Sequence, residues 1–304
     1  MHETSDTEPP LPPVLPAHPA RAAARIRRLG APERAAMEAL FALAPGYSLF
    51  LSTNLSYLDS STGLVRYWGA YRQGELNAVL MMVGRRAMLY TAPDAISTAT
   101  LAALARVADE QPVDFIMGHP AGVDALLTSP RREQVQRREE HYLAECHPAG
   151  DRMPVVTLPP GTLIRRARPS DLEALTTLYY RTDGFESLSK DQVRRTMYGR
   201  VRSLRTWVAE YSGRLLSAAS TSAETARAAM VGGVWTAPEA RGRGLSTAVV
   251  AALSRELLGE QRRPYLFYLT GNTPAAHVYA RVGYHTIGRW SIAYLTPETG
   301  KEDY

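Results

Sequence analysis

Over residues 161–304 the apolar positions shift between a period of two and a helical period, and each shift falls at a short polar or glycine-bearing turn. A strand over 163–167 leads into a helix from Ser170, where Ser170-x-x-Glu173 reads as a capping box satisfying the first free amides. A polar loop over 182–190 precedes a helix over 191–200. Apolar runs at 205–211 and 215–221 flank Ser212-Gly213 as a hairpin, and 230–236 forms the next strand. After a glycine turn come a helix over 246–259, a buried strand at 265–270, a helix over 273–282 and a last strand at 287–295. This order predicts an α/β class of the α+β type, with a mixed sheet.

The same pattern occurs earlier in the chain in a reduced form. Thr91-Ala92-Pro93-Asp94-Ala95 followed by Ser97-Thr98-Ala99 parallels Thr236-Ala237-Pro238-Glu239-Ala240 followed by Ser246-Thr247-Ala248, and Arg241-Gly242-Arg243-Gly244 has no counterpart in the first copy. Upstream, Ile26-Arg27-Arg28 and Glu38-Ala39-Leu40 recur as Ile164-Arg165-Arg166 and Glu173-Ala174-Leu175. Trp68-x-Ala70-x-x-x-Gly74-x-Leu76 recurs 139 residues on as Trp207-x-Ala209-x-x-x-Gly213-x-Leu215. One supersecondary unit is used twice, and the insert found only in the second copy marks where a ligand sits. The predicted organisation is a proline-rich tail at 1–20, a degenerate copy at 21–150, a Pro/Gly-punctuated linker at 151–160 and the complete copy at 161–304.

Composition narrows the function classes. The single cysteine, Cys146, cannot close an internal disulfide, and no cluster has metal-ligand spacing, so a reducing compartment and no metal are expected. No long apolar run and no signal-type N-terminus is read, which points to a cytoplasmic protein without a membrane partner. The net charge is +5, yet only Lys190 and Lys301 are lysines and the arginines are scattered, so nucleic acid is not the expected partner. A basic surface also draws in an anionic cofactor.

Arg241-Gly242-Arg243-Gly244-Leu245-Ser246 joins a strand to a helix, so successive N–H groups and the positive helix end converge on one point. Glycines allow positive φ and close approach of backbone to a phosphate. Taken alone, the stretch reads equally as an ordinary glycine turn with two solvated arginines. The first copy makes the same connection without these residues, so folding does not demand them.

Val234-x-x-x-Pro238-Glu239-x-Arg241-Gly242-Arg243-Gly244, followed by Asn272-x-Pro274-Ala275-Ala276-x-x-Tyr279-x-x-x-Gly283-Tyr284, resembles the GNAT superfamily of acetyl-CoA-dependent N-acetyltransferases. The resemblance covers about 161–304, and the first half is similar to the degenerate copy of tandem members. It departs from the family pattern at Ser246, where Gly or Ala is usual. The resemblance implies two tandem GNAT-like domains and acetyl-CoA as cosubstrate, with pantetheine paired to the backbone of Val234 and Thr236. It places the pyrophosphate on the amides from Gly242 through Arg243, Gly244 and Leu245 to Ser246, beside Arg241. Asn272 would bond the pantetheine arm or orient its neighbours, and Ala275 is expected among the cofactor-binding residues with it. Tyr279 would protonate the departing thiolate; a core aromatic is its alternative reading. The first half has no tyrosine over 123–127 and is expected to be catalytically empty.

Family members often carry a glutamate on the strand before the phosphate loop, but 230–236 holds no ionisable residue. Glu224 is the nearest substitute base, with a solvated turn glutamate as its alternative reading; Glu186 is a second candidate. His277 and His285 read as helix-surface and strand-entry residues, and Trp235 as core. The function expected is transfer of an acetyl group to the primary amine of a small molecule or peptide, the first half supplying one wall of the acceptor cleft. The alternatives are a non-catalytic CoA-binding sensor or scaffold, and an acyl or aminoacyl transferase with a larger donor.

Overall fold

Two tight turns set the frame. Gln73-Gly74 and Ser212-Gly213 all have positive φ, the type I′ geometry whose twist matches that of the flanking strands, so β2 (Val65–Arg72) folds onto β3 (Glu75–Val83) as β8 (Thr206–Tyr211) folds onto β9 (Arg214–Glu224). The computed structural model describes residues 25–58, 60–93, 97–147, 153–180, 182 and 185–296. The expected tail at 1–20, residues 94–96 of the repeated turn, 148–152 of the linker and 183–184 of the polar loop lie outside the described residues.

Before the first hairpin come β1 (Arg25–Leu29), α1 (Arg34–Phe41) and α2 (Pro45–Asn54). After it come β4 (Arg86–Thr91), α3 (Thr98–Asp109), β5 (Phe115–Gly118), α4 (Pro120–Leu126), α5 (Ser129–Arg132) and β6 (Val135–Cys146). The second half repeats this order with β7 (Thr162–Arg166), α6 (Leu172–Tyr179) and α7 (Lys190–Ser203) before its hairpin, then β10 (Ala228–Thr236), α8 (Leu245–Gly259), β11 (Arg263–Leu269), α9 (Thr273–Val282) and β12 (Tyr284–Leu295). The repeat holds at the level of register. Ile26 pairs with Ala70 as Ile164 pairs with Ala209, and the ladder shifts immediately after each alanine.

Helix starts show where local chemistry differs from the sequence expectation. Pro169 opens a 3₁₀ turn closed by Asp171, whose carboxylate accepts from Arg168 N at 2.6 Å, and no side chain, the Ser170 hydroxyl included, caps α6 itself. The Arg165 guanidinium on the same carboxylate, at 2.7 and 2.8 Å, holds Asp171 below the usual carboxylate range. Helix α7 starts at a true capping box: Ser189 Oγ accepts from Gln192 N and Gln192 Oε1 accepts from Ser189 N.

All twelve strands among the described residues form one mixed sheet in the order β1-β2-β3-β4-β5-β12-β6-β11-β10-β9-β8-β7. Exchanging each strand for the one six places on reverses this list onto itself, so the sheet has a pseudo-twofold axis between β6 and β12. The two halves exchange their last strands. Strand β12 lies between β5 and β6, and β6 lies between β12 and β11, so the sheet crosses the expected linker boundary twice.

The helices complete the exchange. One core joins α6, α7 and α8 to β8–β11; a second joins α3 and α4 to β2–β5. A third runs from α1 and α2 across to the second half, where Leu49 and Leu51 share a cluster with Ala223, Ala228, Met230, Tyr265 and the fully buried Trp290. Each large apolar side chain buried there stabilises the fold by about 1.5–3 kcal/mol, so neither half covers its own sheet alone.

Candidate functional site

The site begins with a break in a strand. Gly232 pairs with Ser220 and Trp235 with Ala218, leaving Gly233 and Val234 together opposite Ala219. Gly233 has φ +57, which makes the bulge easy for glycine and strained for other residues. Beyond the bulge β10 leans out of the sheet: its parallel pairing with β11 ends at Val231 and Leu266, although the strands continue to Thr236 and Leu269. The result is a wedge with an unpaired strand edge at Val234. Thr236 keeps its side chain inside the sheet, Oγ1 lying 2.8 Å from Ser217 Oγ, so its backbone is the part available to a ligand.

At the open end of the wedge lies the glycine turn. Gly242 and Gly244 both have φ +76, and Gly244 is the N-cap of α8. Among the described residues the amides of Gly242, Arg243, Gly244, Leu245 and Ser246 have no backbone acceptor, and they head a fifteen-residue helix. The arginines brace the turn. Arg241 lies over the Trp235 ring at 5.0 Å and bonds Thr236 O, while Arg243 bonds Glu239 O. Such a cradle fits a pyrophosphate by shape and polarity. Linker residue Val156 packs against it, 2.7 Å from where a Gly244 Cβ would stand, a contact that no local pattern announced.

The inner end of the wedge is phenolic. Tyr279 on α9 lies 5.3 Å from Tyr268 on β11 and 6.0 Å from Tyr284, ring centre to ring centre, and Tyr268 in turn lies 5.6 Å from Tyr142 of β6. Burial pushes the Tyr279 pKa well up, and the neighbouring phenols Tyr268 and Tyr179 add to it, so the group keeps its proton through neutral pH. Among the described residues its hydroxyl has no hydrogen-bond partner. Asn272 Oδ1 accepts from Ala275 N at 3.1 Å, capping α9 and orienting the helix that carries Tyr279.

Glu224 is not brought to this place. It ends β9 opposite Ala229, five residues before Val234 on β10, or about 15 Å away along the strand. Both its oxygens are occupied: Oε2 accepts from Arg205 Nε at 3.1 Å and Arg262 Nη1 at 3.0 Å, and Oε1 from Thr221 Oγ1 at 2.7 Å. The carboxylate expected as base thus lies away from the bulge, bonded to Arg205, Arg262 and Thr221, where it knits β9 to β8 and to the end of α8. A polar recess of about 450 Å³ at that far end, lined by Arg166, Arg205, Thr206 and Glu224, belongs to this ion network. Glu186 lies on an exposed turn beside Phe185, and His277 and His285 are exposed on α9 and at the start of β12.

What sequence reading missed is the acceptor side of the bulge. Tyr179 donates a short hydrogen bond to Gly233 O, and Arg200 lies 5.2 Å over the Tyr179 ring and 5.6 Å over Phe185. The Gly232-Gly233 doublet inside a strand pattern was the available signal for a bulge. Nothing local signalled that Tyr179 and Arg200, on separate helices, would converge there.

The first half keeps the parting of strands, β4 leaving β5 after Ala87 and Ile116, but lacks the bulge and the glycine turn. There β3 and β4 pair without a shift from Ala78 opposite Thr91 to Val83 opposite Arg86, and Leu89 stands where the second half has its bulge. Helix α4 packs on that strand so closely that a Cβ on Gly122 would lie 2.8 Å from Leu89 O. Among the described residues there is no group of three or more His, Cys, Asp or Glu side chains placed to hold a metal, and no helix is long and apolar enough to cross a membrane.

Residues 211–292 match the family model described as FR47-like protein. No curated protein matches the sequence. Among solved structures, a Drosophila protein superposes with a TM-score of 0.64 at 15% identity, covering 90% of this chain and 99% of that one. A GCN5-related N-acetyltransferase from Sphaerobacter thermophilus gives 0.61 at 16%, covering 89% and 94%. A tandem GNAT protein from the clavulanic acid biosynthesis pathway gives 0.53 at 18%, covering 92% and 100%.

Proposed function

We propose that this chain is a GNAT-superfamily protein with that fold present twice, and that its second half transfers an acetyl group from acetyl-CoA to the primary amine of a small molecule or peptide, in the cytoplasm. The observation that carries this reading is the wedge itself: one strand edge with free amides of a helix N-terminus at its mouth and an unbonded Tyr279 hydroxyl at its inner end.

In this reading the amides from Gly242 to Ser246 hold the pyrophosphate, and the strand edge at Val234 and Thr236 pairs with pantetheine as an additional strand would. A backbone amide at the bulge polarises the thioester carbonyl, aimed in advance at the oxygen where charge develops. The amine nitrogen forms a bond to the acyl carbon, the carbon–sulfur bond breaks, and Tyr279 gives its proton to the sulfur. Its raised pKa keeps the phenol protonated through neutral pH, so that it stands as a hydrogen-bond donor to the developing thiolate, and the proton released to water by the amine restores the phenol after transfer. With Glu224 committed elsewhere, water takes the proton lost by the amine.

The test is incubation of the full chain with acetyl-CoA and an amine library, read by product mass. Acetylated product with stoichiometric free CoA is the expected result. Tight acetyl-CoA binding without turnover of any amine would favour the sensor reading, which the lack of a carboxylate beside Tyr279 among the described residues keeps in play.

A further inference from the structure

Arg200 lies beside the Gly233 bulge with no carboxylate partner among the described residues. It lies in the last turns of α7, with its guanidinium over the rings of Tyr179 and Phe185. Its Nη1 is fully buried and has no hydrogen-bond partner, and among the described residues no carboxylate is paired with it. Arg165 is paired with Asp171 and Glu210, Arg205 with Glu224, Glu256 and Glu260, and Arg262 with Glu224, whereas the partly buried Arg289 lies over the Tyr142 ring. The Arg200 side chain is partly buried, and the desolvated Nη1 leaves one guanidinium donor unmet by the protein. The backbone makes room for it, because a Cβ on Gly233 would collide with Arg200 Nη1.

We propose that Arg200 reads a carboxylate on the acceptor, and that the acceptor is a short amino acid. The inference rests on the acetyl-transfer reading above. Gly233 adjoins Val234, so the guanidinium lies roughly one residue spacing, about 4 Å, from the strand edge where the thioester carbonyl would be held. A carboxylate bonded to Arg200 at about 2.8 Å then has its own carbon within one or two carbons of an amine that can reach the acyl group. That spacing describes an α- or β-amino acid. The Tyr179 and Phe185 rings exclude water from the pair, which strengthens it, and the planar guanidinium suits the two-oxygen fork of a carboxylate. In the transfer the nitrogen–carbon bond forms, the carbon–sulfur bond breaks, one amine proton goes to water, Tyr279 protonates the sulfur, and the carboxylate stays unchanged on Arg200.

The test uses the full chain and calorimetry. CoA is titrated first. N-acetylglycine and its methyl ester are then titrated into the CoA-saturated protein, wild type and Arg200→Gln, with thermal melts of both. Expected is at least tenfold tighter binding of the acid than of the ester in the wild type, loss of that ratio in Arg200→Gln at unchanged CoA affinity, and part of it retained in Arg200→Lys. Equal binding of acid and ester, binding of neither, or an unchanged ratio in Arg200→Gln overturns the assignment. Competition by inorganic phosphate as effective as by N-acetylglycine would also overturn it, since the site would then be a general anion site. If Arg200→Gln unfolds, the wild-type acid-to-ester ratio and Arg200→Lys decide. Should CoA itself fail to bind, the acetyl-transfer reading falls, and the same two titrations on the CoA-free chain still decide what Arg200 recognises.

Discussion

Strands β4 and β10 occupy equivalent places in a sheet that is symmetric about β6 and β12, and they differ where chemistry is possible. β4 pairs in unbroken register with β3, and α4 is pressed onto it at Gly122 and Leu89. β10 bulges at Gly233 and Val234, parts from β11 after Val231 and leads into a glycine turn with free amides. Since the first half is well packed without bulge or glycine turn, those two features are not required by the fold, whereas the parting of parallel strands recurs there between β4 and β5. The bulge carries a conformational cost, a left-handed backbone at Gly233, which the contacts of Tyr179 and Arg200 with that residue help to offset. The lost copy has been turned into structure: its last strand completes the second half's sheet, and α2 covers the second half's strands.

The largest effect should come from separating the halves. Residues 161–304 expressed alone would expose the β11 edge that β6 pairs with and the apolar face at Met230 and Tyr265. We expect loss of the cooperative thermal transition and aggregation, the whole of a stability of about 5–15 kcal/mol. A monomeric fragment melting like the full chain would show that the strand exchange is dispensable.

Removing the phenol hydroxyl breaks the comparison at one atom. Tyr279→Phe should lower turnover by roughly 10²–10⁴ while CoA affinity and melting temperature stay as in the wild type. Equal rates in a thiol-release assay would return Tyr279 to the aromatic core it shares with Tyr268 and Tyr284.

The two glycines test the halves against each other. Gly122→Ala drives a Cβ into a backbone carbonyl and should cost about 1–3 kcal/mol with CoA affinity unchanged, because that gap holds no ligand. Gly233→Ala meets only the end of the Arg200 side chain and a left-handed φ, so about 1–2 kcal/mol is expected, with turnover falling far more than stability. Similar turnover losses in both variants would mean that the two strands are not functionally distinct.

The smallest effect on chemistry belongs to Glu224→Gln. Its pH–rate profile should overlay the wild type, while stability drops by about 1–2 kcal/mol as Arg205 and Arg262 lose a charged partner. A slowed rate that recovers at alkaline pH would restore Glu224 as the base.

Local chemistry made much of this legible before any coordinates. Ser212-Gly213 specified its turn through positive φ, the repeat at Ile26 and Ile164 carried through to matched registers, and Arg241 to Ser246 announced a helix N-terminus with free amides. The 230–236 stretch also showed correctly that no carboxylate stands on that strand. Other features were illegible because they depend on partners distant in sequence. The alternation of β6 and β12 looks the same whichever strands flank them, so pairing across the pseudo-twofold axis leaves no local trace. Glu224 reads as a turn residue until Arg205 and Arg262 are folded against it, and Arg200 reads as a solvated helix residue until α7 brings it to Gly233. The sequence by itself determined which elements form and which half carries the glycine turn, because propensities, turn geometry and spacing act within a few residues. Only the tertiary structure decided which carboxylates are already occupied, which cation is left without a partner and how the halves complete each other, because charge pairing and strand pairing act through space.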